Sequence, residues 1–255
     1  MGLLTVATTS PVIDLRGVTK SFGAAAPPAV EGIDLRIEAG EFVCLLGASG
    51  CGKSSLLNLI AGLDRPTAGR VTVPGRRPAV MFQDHALFPW LTAGRNVELA
   101  LRLAGVPKAE RRAEAARLLA AVRLGDAYER RVHELSGGMR QRTALARALA
   151  QGADCLLMDE PFAALDAVTR DLLHEELIRV WTEHRLTVVF VTHSVEEAAR
   201  LGSRIVLLSA HPGRIAHEWA VDLPYPRRAE SPGVASLVHG ITERLREEVR
   251  RHARD

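Results

Sequence analysis

Gly47-Ala48-Ser49-Gly50-Cys51-Gly52-Lys53-Ser54 decides how this chain is read. The octet fits G-x-x-x-x-G-K-[ST]. An apolar run at Phe42–Leu46 precedes it, and Leu56, Leu57, Leu59 and Ile60 follow at helical spacing. Strand, glycine loop and helix in that order predict a loop whose backbone N–H groups and helix N-terminus wrap a polyphosphate. Residues 47–55, ending on Ser54 and Ser55, are the candidate binding residues, with Lys53 reaching the terminal phosphates and Ser54 ligating Mg²⁺. The competing reading is a glycine turn that matches by chance, and the flanking strand and helix weigh against it.

Composition is compatible with that reading. The 255 residues are 47% hydrophobic and 25% charged, which excludes disorder, collagen and a disulfide miniprotein. A chain this long buries a sizeable core without a metal or disulfide staple. Basic residues number 33 and acidic ones 30, so the net charge of +3 is too small to support polyanion binding by itself. Lysine occurs only at Lys20, Lys53 and Lys108, which leaves few candidates for a role that needs a compact ammonium. Cys44, Cys51 and Cys155 form no C-x-x-C pair and read as reduced thiols. No apolar run is long enough to span a bilayer and the first residues carry no basic leader, so a cytosolic protein is expected, held at any membrane by another chain.

Further along, residues 1–11 read as a flexible N-terminus and residues 24–28 as a loop. Strands are expected from Val12, near 33–37 and at Phe42–Leu46, in a β-rich, antiparallel opening. The stretch from about 92 to 150 is dominated by Ala, Leu, Arg and Glu. It is broken at Gly105-Val106-Pro107 and Ser136-Gly137-Gly138, and it reads as a helical insertion. Apolar runs at 155–158, 188–191 and 205–208 have the form of strands covered on both faces. Helical pattern between the first two predicts a parallel βαβ core. Val234, Leu237, Val238, Ile241, Leu245 and Val249 form a helical stripe near the end, read as packing on the core beneath a solvated basic face.

Cys155-Leu156-Leu157-Met158-Asp159-Glu160 is an apolar strand that delivers two acids. Beside a phosphate loop, Asp159 is placed to hold the metal and Glu160 to orient or deprotonate the attacking water. The bland alternative is an acidic turn capping the next helix. Among the nine histidines, those such as His174, His184 and His252 read as structural.

Leu135-Ser136-Gly137-Gly138 stands about twenty residues before that strand, and with the loop and Leu157-Met158-Asp159-Glu160 the order resembles the ATP-binding cassette family. Phe22, Gln83, Ala164-Leu165-Asp166 and His193 fall at the places where that family has an adenine-stacking aromatic, a glutamine loop, a D-loop and a switch histidine. The resemblance covers residue 12 to about 208. It implies an α/β fold: a P-loop NTPase core with an antiparallel β subdomain and an α-helical insertion subdomain. The ATPase domain would span 12–228, its helical subdomain about 86–150, and a helical tail 229–255. It further implies ATP and Mg²⁺ as ligands, Glu160, His193 and Gln83 as catalytic residues, and Ser54, Gln83 and Asp159 around the metal. Phe22 would stack on adenine, its π face kept and a tyrosine's hydroxyl lost. Two copies would pack head to tail, with Ser136, Gly137, Gly138 and Asp166 of the second subunit closing the site. The first three precede a helix and form a second anion site. The chain departs from the common pattern at Ala163 and Ser194, which puts in doubt only a side-chain hydrogen bond at 163. Alkylation of Cys51 is expected to block ATP entry.

A separate cassette without a membrane segment resembles the ATPase subunit of a bacterial importer. Leu87-Phe88-Pro89-Trp90 with Asn96-Val97, residues 160–170, Pro212-Gly213-Arg214-Ile215 and Leu223-Pro224-Tyr225-Pro226-Arg227 resemble the nitrate, taurine and aliphatic sulfonate group. Implied partners are a second copy, two integral membrane permease subunits and a periplasmic or lipid-anchored solute-binding protein, at the cytoplasmic face of the inner membrane and without nucleic acid. The loop after Gln83 would take a short permease helix, unless Phe88 and Trp90 simply pack inside. Taurine or an aliphatic sulfonate is the first expected solute, nitrate the second. The competing functions are a cassette ATPase untied to a transporter, acting on DNA or ribosomes, and a small-molecule kinase, which leaves Ser136-Gly137-Gly138 and His193 unexplained.

Overall fold

The structure, a computed structural model, describes residues 11–23 and 26–252. Its elements in chain order are β1 (Ile13–Lys20), β2 (Val30–Ile37), β3 (Phe42–Leu46), α1 (Lys53–Ile60), β4 (Ala68–Thr72), β5 (Ala79–Met81), α2 (Ala93–Leu103), α3 (Lys108–Ala121), α4 (Gly137–Leu149), β6 (Cys155–Asp159), α5 (Ala167–His184), β7 (Thr187–Thr192), α6 (Val195–Leu201), β8 (Arg204–Leu208), β9 (Ile215–Ala220) and α7 (Pro232–His252). Residues 1–10 of the expected flexible N-terminus, and Ala24 and Ala25 of the expected loop, lie outside the described residues.

The strands form two sheets. An antiparallel sheet runs β2-β1-β4, and a six-stranded sheet runs β5-β6-β7-β3-β8-β9, parallel except for the β8–β9 pair. The expected βαβ core is present as β6, α5 and β7, the two strands being parallel neighbours. One expectation is corrected: β3 does not belong to the antiparallel opening but sits inside the parallel sheet between β7 and β8. All five of its residues are buried, as a strand covered on both faces requires. β2 also begins at Val30, earlier than its apolar end at 33–37 indicated.

Side-chain alternation divides the core between the two faces of this sheet. Phe42, Cys44 and Leu46 face one cluster with Phe190, Leu207 and the apolar sides of α2 to α5. Val43 and Leu45 face the other, with α1 and the inner residues of β1 and β2. All three cysteines are free and buried. Burial holds the Cys44 thiol well above its ordinary pKa and pushes that of Cys155 up to about 12. Helices α2, α3 and α4 pack on one another, with the expected breaks at 105–107 and 136–138 between or at their ends. α7 buries Val234 and Ile241 and leaves Val249 exposed, so the stripe is core packing for most of its length. Among the described residues, no helix is long and apolar enough to cross a membrane.

Register fixes what lies at the sheet's carboxyl edge. Leu46 is opposite Thr192, and Asp159 is opposite Val191. The loops leaving β3, β6 and β7 therefore start side by side, at the edge where open α/β sheets bind ligands.

Candidate functional site

The loop leaving β3 turns through Gly50 and Gly52, both with positive φ, and enters α1 at Lys53. A Cβ on Gly52 would stand 2.5 Å from the Ala29 carbonyl oxygen and 2.5 Å from Val30 Cγ1, so only glycine fits there. Behind it, Gly213 of the β8–β9 hairpin is pressed so closely that a Cβ would lie 2.1 Å from the Cys51 carbonyl oxygen. Gly213 also donates to Ala29 O at 3.1 Å and accepts from Glu31 N at 2.9 Å. The phosphate loop is thus braced by the start of β2 and by the hairpin. Lys53 is buried, and its Nζ donates to the carbonyls of Gly47 at 2.8 Å and Ala48 at 2.9 Å. Two carbonyls direct the ammonium within the concavity of the loop, where it supplies one unit of positive charge. Cys51 is 1% exposed and burial raises its thiol pKa, so an alkylating reagent reaches it only when the loop opens.

Asp159 ends β6 and is hydrogen-bonded by the Ser54 hydroxyl. Burial raises the Asp159 pKa, the Ser54 hydrogen bond and the Lys53 charge oppose the rise, and the neighbouring Glu160 charge adds to it. A hydroxyl and a carboxylate meeting at a half-buried point, the carboxylate penalised by burial and a like charge, form a hard-oxygen pair suited to Mg²⁺. That ion is commonly held by one or two protein oxygens plus phosphate and water. Among the described residues, Glu160 is one of four non-glycine residues with positive φ, at 41°. Its N–H donates to Val191 O at 3.0 Å, and its Oε2 lies 3.1 Å from His193 Nδ1. A strained backbone carrying a carboxylate onto an imidazole marks a functional position. The structure therefore brings together residues 47–54, Asp159, Glu160 and His193.

Ser136, Gly137, Gly138 and Asp166 form a second cluster. Ser136 caps α4, its Oγ accepting from Met139 N, and Asp166 caps α5, its Oδ1 accepting from Thr169 N at 2.9 Å. That hydrogen bond lowers the Asp166 pKa. A Cβ on Gly138 would meet Thr169 Cγ2 at 2.6 Å, so the glycine lets the two helix starts pack. The helix begins at Gly137 rather than after Gly138 as expected, which places Gly137 and Gly138 in its first turn, where N–H groups are free of intrahelical partners.

Phe22 is 68% exposed in the loop after β1, with Lys20 Nζ 5.1 Å from its ring centre. The same Nζ is 2.6 Å from Asp64 Oδ1, a hydrogen bond that lowers the Asp64 pKa. Lys20 was not singled out by the sequence, and its fixed place beside an exposed ring gives the second lysine a use. Gln83 is exposed two residues beyond the end of β5, the strand that flanks β6. The following loop is shaped from inside: buried Asn96 accepts from Phe88 N at 2.8 Å and donates to the Phe88 and Thr92 carbonyls. Arg147 on α4 donates to the Ala86 and His85 carbonyls. Trp90 is 69% exposed with its ring 5.4 Å from that of Phe88, so it does not pack in the interior.

Comparison with known proteins shows the family. The ABC transporter family matches residues 30–163. The taurine import ATP-binding protein TauB of Mesorhizobium japonicum is 49% identical over 212 residues, covering 80% of this chain and 82% of that protein. The bicarbonate transport ATP-binding protein CmpC of a Synechocystis species is 48% identical over 82% of this chain but only 33% of its own length. A solved ATP-binding cassette, a dimer in a post-hydrolysis state bound to ADP and Pi, superposes with a TM-score of 0.71 at 33% identity, covering 83% of this chain and all of that one. Residues 47–54, Asp159, Glu160 and the capped start of α4 all lie within the matched stretch, and the chain belongs to the ABC transporter family of ATP-binding cassette ATPases.

Proposed function

We propose that this chain is the ATP-hydrolysing subunit of a bacterial importer for a small anion or sulfur compound, with taurine or an aliphatic sulfonate as the first candidate and nitrate the second. Two copies assemble head to tail on two integral membrane permease subunits at the cytoplasmic face of the inner membrane. A periplasmic or lipid-anchored solute-binding protein delivers the solute. Residues 12–228 form the ATPase domain, with about 86–150 as its helical part, and 229–255 the tail. The 49% identity to a taurine import protein supports the solute class, and the bicarbonate relative keeps small anions in general within it.

The observation that carries the reading is the Glu160–His193 contact beside Lys53, Ser54 and Asp159. In the proposed reaction the backbone N–H groups of residues 47–54 and the Lys53 ammonium hold the β- and γ-phosphates of ATP, while Phe22 stacks on adenine. Glu160 accepts a proton from water as its oxygen attacks the γ-phosphorus, and the bond from that phosphorus to the β-phosphate oxygen breaks, giving ADP and phosphate. His193, donating from Nδ1 to Glu160, orients the carboxylate. Ser54 and Asp159 would hold Mg²⁺, with Gln83 at its edge, and the ion when bound offsets charge on the phosphate oxygens. Ser136, Gly137, Gly138 and Asp166 of the second copy cap the γ-phosphate with the free N–H groups of the α4 N-terminus.

A groove of about 560 Å³ runs beneath the 85–91 loop, lined by Arg76, Phe88, Leu103 and Arg147, with Trp90 exposed nearby. Apolar bulk rimmed by arginine suits a short permease helix. A cassette ATPase untied to a transporter is the alternative, and it gives this exposed aromatic loop no role.

Glu160→Gln tests the central claim. The amide keeps the shape and loses the base, so hydrolysis should fall by about 10²- to 10⁴-fold. ATP binding should persist, and at saturating Mg·ATP the variant should elute as a dimer in size exclusion with light scattering. A variant that binds ATP and stays monomeric would refute the head-to-tail reading.

A further inference from the structure

Behind His193 lies a buried polar network that the assignments above do not use. Thr192, the last residue of β7, is buried and hydrogen-bonded on two sides: Oγ1 donates to Glu197 Oε2 at 2.5 Å and accepts from Ser194 N at 2.9 Å. Ser194 caps α6, its Oγ accepting from Glu197 N at 3.3 Å. In an ordinary capping box the N3 glutamate reaches back to the N–H of the cap itself. Here the Thr192 hydroxyl is inserted between them, so the residues on both sides of His193 are tied to one carboxylate.

That carboxylate is held in turn from α5. His174 Nε2 lies 3.3 Å and Arg170 Nε 3.9 Å from Glu197 Oε1. His174 is itself 4% exposed, and its Nδ1 is buried without a partner, which fits an Nε2–H form donating to Glu197. Arg170 also donates to Leu165 O at 2.7 Å, so the network ends beside Asp166. Burial raises the Glu197 pKa, but hydrogen bonds from His174 and Thr192 and the Arg170 charge bring it below the ordinary value. A solvent-facing glutamate would cap α6 equally well. Burying an ionised one is costly unless it is paired and hydrogen-bonded, and here Thr192, His174 and Arg170 supply those partners.

We infer that Glu197, held by His174 and Arg170, is a positioning residue that fixes His193 against Glu160 through Thr192 and Ser194. This rests on the reading of Glu160 and His193 as the hydrolytic pair. Relaxing the bracket lets the imidazole drift, and a displacement near 1 Å at such a site lowers turnover by up to about a hundredfold.

The experiment compares Thr192→Val, Thr192→Ser and His193→Ala in the full chain, reading kcat for ATP hydrolysis, the Kd for Mg·ATP and the thermal midpoint. Valine keeps the shape of threonine and removes both hydroxyl bonds. The expectation is a kcat lowered about ten- to a hundredfold in Thr192→Val with Kd within about twofold, recovery of most of the kcat in Thr192→Ser, and a loss in His193→Ala at least as large. Normal kcat in Thr192→Val while His193→Ala is impaired overturns the inference and leaves the site reading standing. Failure of serine to rescue overturns it too, because packing would then explain the loss. Normal kcat in His193→Ala instead overturns the role given to His193. Should Thr192→Val fail to fold, Glu197→Gln reads the same bracket: lowered kcat at unchanged Kd supports the inference, and unchanged kcat overturns it.

Discussion

Gly213 offers a sharp test of how the phosphate loop is kept in shape. It is not a nucleotide-contacting residue in the proposed site, and its φ lies outside the left-handed region, so alanine there acts through contact alone. The added Cβ would sit 2.1 Å from the Cys51 carbonyl oxygen, and restoring even 3.0 Å requires a shift of 0.9 Å by the loop or the hairpin. The hairpin is tethered by Gly213 to Ala29 and Glu31 and by the Arg214–Glu31 ion pair at 2.6 Å, so the loop takes much of the displacement. Overpacking of this kind costs about 1–3 kcal/mol. If the cost falls on the binding-competent loop, ATP affinity drops by about five- to 150-fold, centred near thirtyfold. The assay is titration with a fluorescent nucleotide, with Gly240→Ala as the control. A Cβ at Gly240 meets nothing within 4 Å on the exposed side of α7, so that change should leave affinity unaltered. An affinity for Gly213→Ala within about twofold of the parent, in a folded protein, would refute the claim that the hairpin braces the loop.

Two further substitutions separate the other parts of the machine. Lys53→Arg should lower nucleotide affinity at least tenfold, because a planar guanidinium cannot be directed by the Gly47 and Ala48 carbonyls as the ammonium is; calorimetric titration with ATP checks this, and near-parental binding would contradict it. Trp90→Ala should leave the ATPase activity of the isolated chain and its thermal midpoint nearly unchanged, since an exposed side chain contributes within about 0.5 kcal/mol, while solute uptake by the assembled transporter falls. Loss of folding would show that the ring packs inside after all.

The site was more legible in the sequence than the fold around it. Residues 47–54, Asp159 and Glu160 are contiguous motifs whose chemistry is carried by residue type and spacing, whereas His193, one of nine histidines, was singled out by its place after a β-branched run together with the family resemblance. β4, by contrast, exposes four of its five residues and shows no apolar alternation, and β5 is three residues long, so neither had a pattern to detect. β3 was legible as a strand, but its neighbours are set by crossovers from residues more than 140 positions away, which no local pattern encodes. The network behind His193 was half visible: Ser194-Val195-Glu196-Glu197 has the spacing of a capping box. Its partners His174 and Arg170 are on another helix, and reading His174 as a structural histidine was correct about its burial and silent about what it holds.

The burial of the three cysteines makes this chain chemically quiet toward thiol reagents without any engineering. With Cys44 and Cys155 inside the sheet, the Cys51 side chain turned inward from the 47–54 loop, and burial keeping every thiol protonated, a maleimide dye or spin label finds no native target in the folded protein. A single cysteine introduced by Leu103→Cys, at a side chain 81% exposed on the rim of the groove, would therefore carry the label alone. It would report the approach of a permease helix against a dark background.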